Sequence, residues 1–512
     1  MTGIAPASLP IRIGSDADFT AVRQHLDLVG FTEAAVCART GFTSLYRFRT
    51  IRDGRTAGVE LTDDLDLLIR LFLDVAPLPQ AVYAERLPAE VRAALERLSL
   101  VYRHEGVVYS SVLLYPTQGL YVVSDHTEAP PGAPALMGDV VYPAVTGNTE
   151  TFMEFLPRGR CERFLEVCGG TGIAALAASR FADQAWTADI TERAARFAEF
   201  NGRLNGLRNF SSLQGDMYQP AGELRFQRIA AHPPYIPAQS NSVIFRDGGE
   251  DGEQIVRRAL LEGLPRLEPG GLLYLTCVAS DRKEGRLEER LRQFLGPAAQ
   301  DFDLLLVVRF QADPVEYRVR SIVRSQGSLE SMKDWPAQVK QLGIEALVYS
   351  HIYLRHRIGT RPVFTRRRKL GPQTTVAEVL WALDLEAALQ EPGAAAGLLG
   401  RRVRVLPTSS MQIRYSYADG WIPAETSHLT DWPFLATIRG PFWLSDLLQR
   451  CDGSVPVGEV IAEFKASGLI SAEIPDPALA ELVANLALNG LVLVEGLPAV
   501  PPRPALGSNP VA

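Results

Sequence analysis

Three observations predict an α/β chain built on a parallel sheet. Short β-rich runs alternate with helical stretches between residues 139 and 360. The first strand of that series ends in a tight cluster of small residues, Cys168–Gly172, from which a helix begins at once. The flanking stretches lack the alternation and read as helices closing on a hairpin, the order of a small α+β winged-helix-like unit.

Within 139–360 the strands are expected at Arg163–Val167, Gln184–Asp189, Phe210–Gln214, Arg225–Ala231 and Gly271–Val278. Helices are expected at Ile173–Arg180, Glu192–Asn205 and Gln254–Leu267. This rhythm requires right-handed crossovers and a sheet covered on both faces. Asp303–Phe310 and Ala346–Leu354 read as strands with little helix-like sequence between them before Leu329–Leu342, so an antiparallel edge pair is expected. Residues 1–138 carry helices at Phe19–Val29, Asp63–Val75 and Pro88–Leu100, then a hairpin of Val107–Tyr115 and Gly119–Ser124. Asp63 and Asp64 suit the positive end of the second helix. Glu128–Pro134 is a Pro/Gly linker. In 361–500, Pro392–Leu398 and Leu406–Ser410 read as loops. Pro441–Gln449, Val457–Ala466 and Pro477–Leu488 read as helices, and Leu491–Val494 as a short strand. Residues 501–512 form a Pro-rich tail, expected to be disordered.

The 512 residues are 46% hydrophobic and 22% charged, which is globular composition. A net charge of −7 gives no whole-molecule case for nucleic-acid binding. The five cysteines are scattered without C-x-x-C spacing, so neither a zinc site nor a disulfide framework is expected. The N-terminus lacks a basic region followed by an apolar core, and no uncharged apolar run reaches the ~18 residues of a membrane span. A cytoplasmic protein without metal is the expectation.

In an open parallel sheet the first strand–helix turn lies at the switch point, where ligands bind. Glu166 ends that strand, and Cys168, Gly170 and Gly172 form the turn. Glycine there lets the backbone approach a ligand, and the helix start offers free N–H groups. A nucleotide and S-adenosylmethionine both suit such a loop, and a glycine turn without ligand is the plain alternative. Asp189 ends the next strand and can accept from ribose hydroxyls, with Ile190 placed to pack on adenine. The third strand leads to Asp216, an acceptor for an adenine amino group, and Met217, a cover for the ring. The fourth strand ends as His232-Pro233-Pro234-Tyr235. Two prolines fix φ and remove two donors, leaving a rigid segment rich in free carbonyls. An amine could donate to such a carbonyl, and Tyr235 offers a flat face to a base or an amide. The plain alternative is an ordinary turn.

This order of motifs resembles the class I S-adenosylmethionine-dependent methyltransferases. More narrowly it resembles the group with an (Asn/Asp)-Pro-Pro-(Tyr/Phe) motif, the N6-adenine and HemK-type glutamine methyltransferases. The resemblance implies a Rossmann-like seven-stranded core over 139–360. It gives cofactor roles to Glu166, Cys168, Gly170, Gly172, Asp189, Ile190, Asp216 and Met217, and catalytic-loop roles to His232, Pro233, Pro234 and Tyr235. Asn148-Thr149-Glu150 resembles the Asp-Thr-Glu element that precedes the HemK-type core, and the Phe245–Glu253 stretch resembles its glycine-rich acidic segment. Two positions depart from the pattern. Cys168 stands for the usual first glycine, and His232 for the usual Asn or Asp. A neutral imidazole also has one donor and one acceptor, but on a different shape, and at its reference pKa of roughly 6.5 it could act as a base.

The implied activity is N-methylation of a macromolecule, a protein glutamine or a nucleic-acid base. A small-molecule methyltransferase and a silent S-adenosylmethionine-binding protein are the alternatives. The dense basic stretch Arg355–Lys369 is open to three readings: RNA phosphate contact, a solvated linker, or pairing with acids elsewhere.

Overall fold

The computed structural model describes residues 9–47, 61–126, 138–237, 244–324 and 333–503. The linker at Glu128–Pro134 and residues 504–512 of the tail lie outside the described residues. The chain divides into two compact units between Cys277 and Val278.

In the first unit, helix Asp16–Val29 opens on a reciprocal cap between Ser15 and Asp18 and stops at Gly30 (φ 69). Leu78–Pro79, Val101–His104 and Val107–Ser110 form a small antiparallel sheet beside helices Gln80–Arg86 and Ala89–Arg97. This is the winged-helix-like order. The helix expected over Asp63–Val75 is α-helical only at Asp64–Leu68 and widens into a π-turn at Ile69–Leu73. The run Val107–Tyr115 is two strands, not one. The Ser110 hydroxyl donates to Val112 O (2.6 Å) and accepts from Val112 N (3.3 Å), which turns the chain before Leu113–Thr117. That strand pairs with Leu120–Ser124 across Gln118 and Gly119, both at positive φ.

The core of this unit follows in strict alternation. Helix α1 (Gly147–Glu154) leads to β1 (Cys161–Val167), α2 (Ile173–Ala178) and β2 (Ala182–Asp189). Then come α3 (Glu192–Leu204), β3 (Phe210–Gln214), β4 (Phe226–Ala231), α4 (Gln254–Gly263) and β5 (Leu267–Arg282). The strands are parallel in the order β3-β2-β1-β4-β5, so the switch point falls between β1 and β4. Apolar residues buried on both strand faces, such as Phe164 and Leu165 of β1, follow from cover by helices on each side.

The chain enters the second unit within β5. That unit holds α5 (Leu287–Phe294), β6 (Phe302–Ala312), α6 (Pro314–Arg324) and β7 (Ile344–His356). β6 and β7 form the expected antiparallel pair, but α6 lies between them, where little helix had been expected. Next are β8 (Thr365–Leu370), α7 (Val376–Leu389), β9 (Arg402–Val405), β10 (Ser410–Tyr417), β11 (Trp421–Thr430) and β12 (Phe434–Gly440). α8 (Phe442–Arg450), β13 (Asp452–Pro456), α9 (Val457–Ala466), α10 (Asp476–Leu488) and β14 (Val492–Val494) complete it. β8 runs parallel to β6 and meets β12. Strands β9, β13 and β14 form a second small sheet with α8 to α10, again a winged-helix-like set.

The basic stretch is not a free cationic surface. Arg355 donates to Asp384 and Arg361 to Asp303, while Arg367 bridges Asp281 and Glu288. Arg366 and Arg368 share Glu386, which is 0% exposed. Among the readings open for this stretch, pairing with distant acids describes these guanidiniums. No helix among the described residues is long and apolar enough to cross a membrane.

Candidate active site

The site is built on the C-terminal ends of β1 to β4. Val167 of β1 is the register partner of Ala231 of β4. Cys168 and His232 are therefore the next positions on neighbouring parallel strands, whose usual spacing is about 4.8 Å. The small-residue turn and the double-proline segment leave the sheet side by side, at its switch point.

The turn after β1 carries three left-handed residues, Cys168 (φ 58), Gly170 (φ 54) and Gly172 (φ 79). At Gly172 a Cβ would sit 3.1 Å from the Ala198 methyl, so glycine allows α2 and α3 to close. At Gly170 a Cβ would meet nothing within 4 Å. That open side, beside the N-terminus of α2, is where a ligand can approach the backbone. Gly170 N donates to Asp189 Oδ2 (2.9 Å), while Thr191 N and Oγ1 donate to Oδ1 (3.1 and 3.3 Å). Asp189 is thereby fixed at the mouth of the turn. Burial raises its pKa. Ile190 beside it is 52% exposed. Met217 is buried at φ 50 behind Asp216. Asp216 Oδ2 accepts from Arg258 (2.9 Å), and Oδ1 has no partner among the described residues.

Glu166 is placed differently from the expectation of direct ligand contact. It is 3% exposed, and its two oxygens accept from Ala174 N (3.1 Å) and Ala175 N (2.9 Å). It therefore fixes the start of α2, and the turn, from behind. Burial lifts its carboxyl from 4.5 to about 7, against the opposing pull of those two donors. The folded-state pKa lies above the unfolded one. The stabilisation from this group is thus complete below about pH 4.5 and is lost as pH rises through about 7. Melting temperature is expected to carry a downward component across that window. Glu166→Gln, which cannot ionise, should remove it; an unchanged slope in thermal melts of the variant would rule Glu166 out as its source.

Residues His232–Tyr235 are held by contacts from three directions. The His232 ring stacks on Phe152 of α1 (5.2 Å, 21°), which stacks on Tyr274 of β5 (5.3 Å, 7°). Tyr274 Oη donates to the Phe152 carbonyl (2.8 Å), locking α1 to the sheet. Loss of water around the ring lowers the His232 pKa to about 4, so the imidazole is neutral at physiological pH. The base role that an unshifted histidine could have filled is thereby weakened, and no ionisation of His232 is expected near neutrality. Tyr235 lies tilted against His232 (5.9 Å, 32°), and its hydroxyl accepts from Asn148 Nδ2 of α1 (2.9 Å). Asn148 belongs to the short segment that resembled the element preceding the HemK-type core.

Beneath Pro233 and Pro234, the Phe245–Glu253 stretch orders the segment. Ile236 N donates to Arg246 O (3.0 Å), and Gly248 N to Ile236 O (2.8 Å). A Cβ at Gly248 would lie 2.8 Å from Tyr235 Cα and 2.9 Å from Pro234 O, both backbone. Gly248→Ala is therefore expected to displace the segment and cut turnover by about a hundredfold, with cofactor affinity nearly unchanged. Turnover within about threefold of the parent in steady-state assays would refute this clamp.

Composition and spacing alone did not reveal Phe152, Tyr274 or Asn201. Asn201 of α3 is 0% exposed; its amide nitrogen donates to Thr171 O (3.0 Å) and Val123 O (3.1 Å). It ties the turn to the hairpin of the N-terminal region.

The strand order and the converging strand ends define a Rossmann-like unit with the layout of a class I methyltransferase core. Sequence comparison narrows this. The chain is 32% identical over 126 residues to the release factor glutamine methyltransferase of Thermodesulfovibrio yellowstonii, covering 22% of this chain and 45% of that protein. It is 35% identical over 126 residues to the ribosomal protein uL3 glutamine methyltransferase of Bradyrhizobium diazoefficiens, covering 22% of this chain and 40% of that protein. The release factor glutamine methyltransferase of Moorella thermoacetica is 34% identical over 137 residues, 24% of this chain and 48% of its own. The chain thus spans about half the length of the curated relatives it matches. No family model matches it. Among solved structures, the ribosomal protein L11 methylase of Lactobacillus delbrueckii aligns with 41% of this chain and 77% of its own at 14% identity and a TM-score of 0.24.

Proposed function

We propose that this chain is an S-adenosylmethionine-dependent methyltransferase that methylates the side-chain amide nitrogen of glutamine in a protein. The observation that carries the reading is the adjacency of the Gly170–Asp189 cradle to a His232–Tyr235 segment held from three sides. The substrate named for the relatives is in each case a protein glutamine, which favours an amide over a nucleic-acid base. That most of the basic stretch is paired internally also weakens the RNA reading.

The cofactor supplies a methyl group already activated on a sulfonium, so the protein's task is placement. Asp189 holds the ribose, Ile190 and Met217 flank the adenine, and Asp216 Oδ1 accepts from its amino group. The open side of the turn at Gly170 takes the carboxylate. Carbonyls of the double-proline segment accept from the target nitrogen and aim its lone pair. Neutral His232 can meet an amide with one donor and one acceptor, and Tyr235 provides a flat wall. We place the reaction in the cytoplasm, where translation proteins are made. Residues 1–138 and 361–500 act in this reading as accessory domains to the 139–360 core.

The test is tritium-methyl labelling of a cell extract with the full chain, followed by protease or RNase. Label should be released by protease and survive RNase, and mass spectrometry should place it on glutamine. Label that survives both treatments would point to a small-molecule substrate instead.

A further inference from the structure

A cavity in the second unit lies outside every role assigned so far. Strands β8 and β12 pair only at Lys369–Leu435 and Leu370–Phe434, then part. The wedge between them opens into a space of about 270 Å³, lined among others by Arg286, Val308, Arg368, Lys369, Leu435 and Ala436. This is close to the lower end of small-ligand pockets, about 300 Å³.

Its charge is unbalanced in a specific way. Arg367, also at the wall, is neutralised by Asp281 (2.9 Å) and Glu288 (2.8 Å). Arg368 shares Glu386 with Arg366, and its own Nε is buried without a hydrogen-bond partner among the described residues. Lys369 and Arg286 meet no carboxylate at ion-pair distance among the described residues, and both side chains are exposed. Two unpaired cations therefore flank a half-enclosed space whose remaining wall is mixed, with Val308, Phe434, Leu435 and Ala436 beside the amides of Gln311 and Asn489. A monocarboxylate would balance one of them; a phosphate monoester, with about −1.5 to −2 charge at pH 7, balances both. Guanidinium and ammonium donors suit phosphate oxygens, and charge-assisted bonds are about twice as strong as neutral ones.

We propose that this wedge binds a small organic phosphate monoester, the phosphate on Lys369 and Arg286 and the organic body against Val308, Leu435 and Ala436. The inference is independent of the methyltransferase reading, since none of these residues belongs to the first unit's site.

Calorimetry on the full chain tests it with cytidine monophosphate, cytidine and inorganic phosphate; a pyrimidine avoids competing for an adenine-binding crevice. The nucleotide should bind, with the nucleoside and inorganic phosphate each at least about tenfold weaker. Arg286→Ala with Lys369→Ala should cost at least about tenfold in nucleotide affinity while leaving the unliganded melting temperature in place. Lys369→Met, which keeps the apolar stem, should cost about threefold and serves if the double variant does not fold. No binding by the parent chain, or nucleotide affinity unmoved by both variants, would overturn the proposal. Inorganic phosphate binding as tightly as the nucleotide would overturn the part given to the apolar side chains.

Discussion

Calorimetry of Asp189→Ala is expected to show S-adenosylmethionine binding weakened by about a hundredfold, or about 2.7 kcal/mol. Two losses combine. The ribose loses a charged acceptor, and hydrogen bonds to a charged group are worth about 1.5–3 kcal/mol each. The turn also loses its anchor, because Gly170 N, Thr191 N and Thr191 Oγ1 all donate to this one carboxylate. Freed, Gly170 returns to the wide conformational range open to glycine, and binding must then reorder it. Asp189→Asn keeps the shape and one acceptor oxygen, so it should lie between the two, nearer the parent. The fold should survive both changes, since Asp189 sits at a strand end with Ile190 exposed beside it. A loss of less than about threefold in the alanine variant would show that the ribose is held elsewhere.

The parts of this site that sequence exposed are those written locally. A strand that ends in an acidic residue and a glycine turn is contiguous, so β1, its turn and α2 could be read directly. The register between β1 and β4 was not on the page, but parallel order and a switch point predict it once alternation is recognised. What stayed hidden depends on partners far along the chain. Glu166 looks like a ligand-facing acid until Ala174 N and Ala175 N are seen to occupy both its oxygens. Phe152 and Tyr274 are 122 residues apart, and nothing local distinguishes them from ordinary core aromatics. The Arg355–Lys369 stretch shows the same effect with opposite consequences. Its neutralising acids lie as far as 86 residues away, so the sequence leaves open whether the run is paired or free to meet phosphates. Helix α7 escaped because its apolar residues are spread around the helix. Val379, Trp381, Ala382, Leu383 and Leu385 are all buried, which erases the one-sided stripe that marks a helix.

Tyr235→Ala is expected to lower kcat by about 100- to 1000-fold while the cofactor Kd stays within about threefold. The bonds that fix the Gly170–Asp189 cradle come from Gly170 and Thr191, so affinity has little reason to follow. Turnover does, because the ring is the piece that closes the segment on itself. It lies against His232, whose ring is pressed to Phe152, and its hydroxyl is tethered by Asn148. Without it, the segment loses one of its three supports, and misplacement of about 1 Å in a reaction governed by orientation can cost about a hundredfold. Tyr235→Phe removes the Asn148 bond, worth about 1 kcal/mol, and should cost about three- to tenfold. Asn148→Ala should match it, and the double variant should be no worse than either single one, since both remove the same bond. If Tyr235→Ala instead raises KM with kcat unchanged, the ring binds substrate equally in ground and transition states and does not orient it. The placement role given to the ring would then fail, leaving only the carbonyls of the segment to aim the target nitrogen.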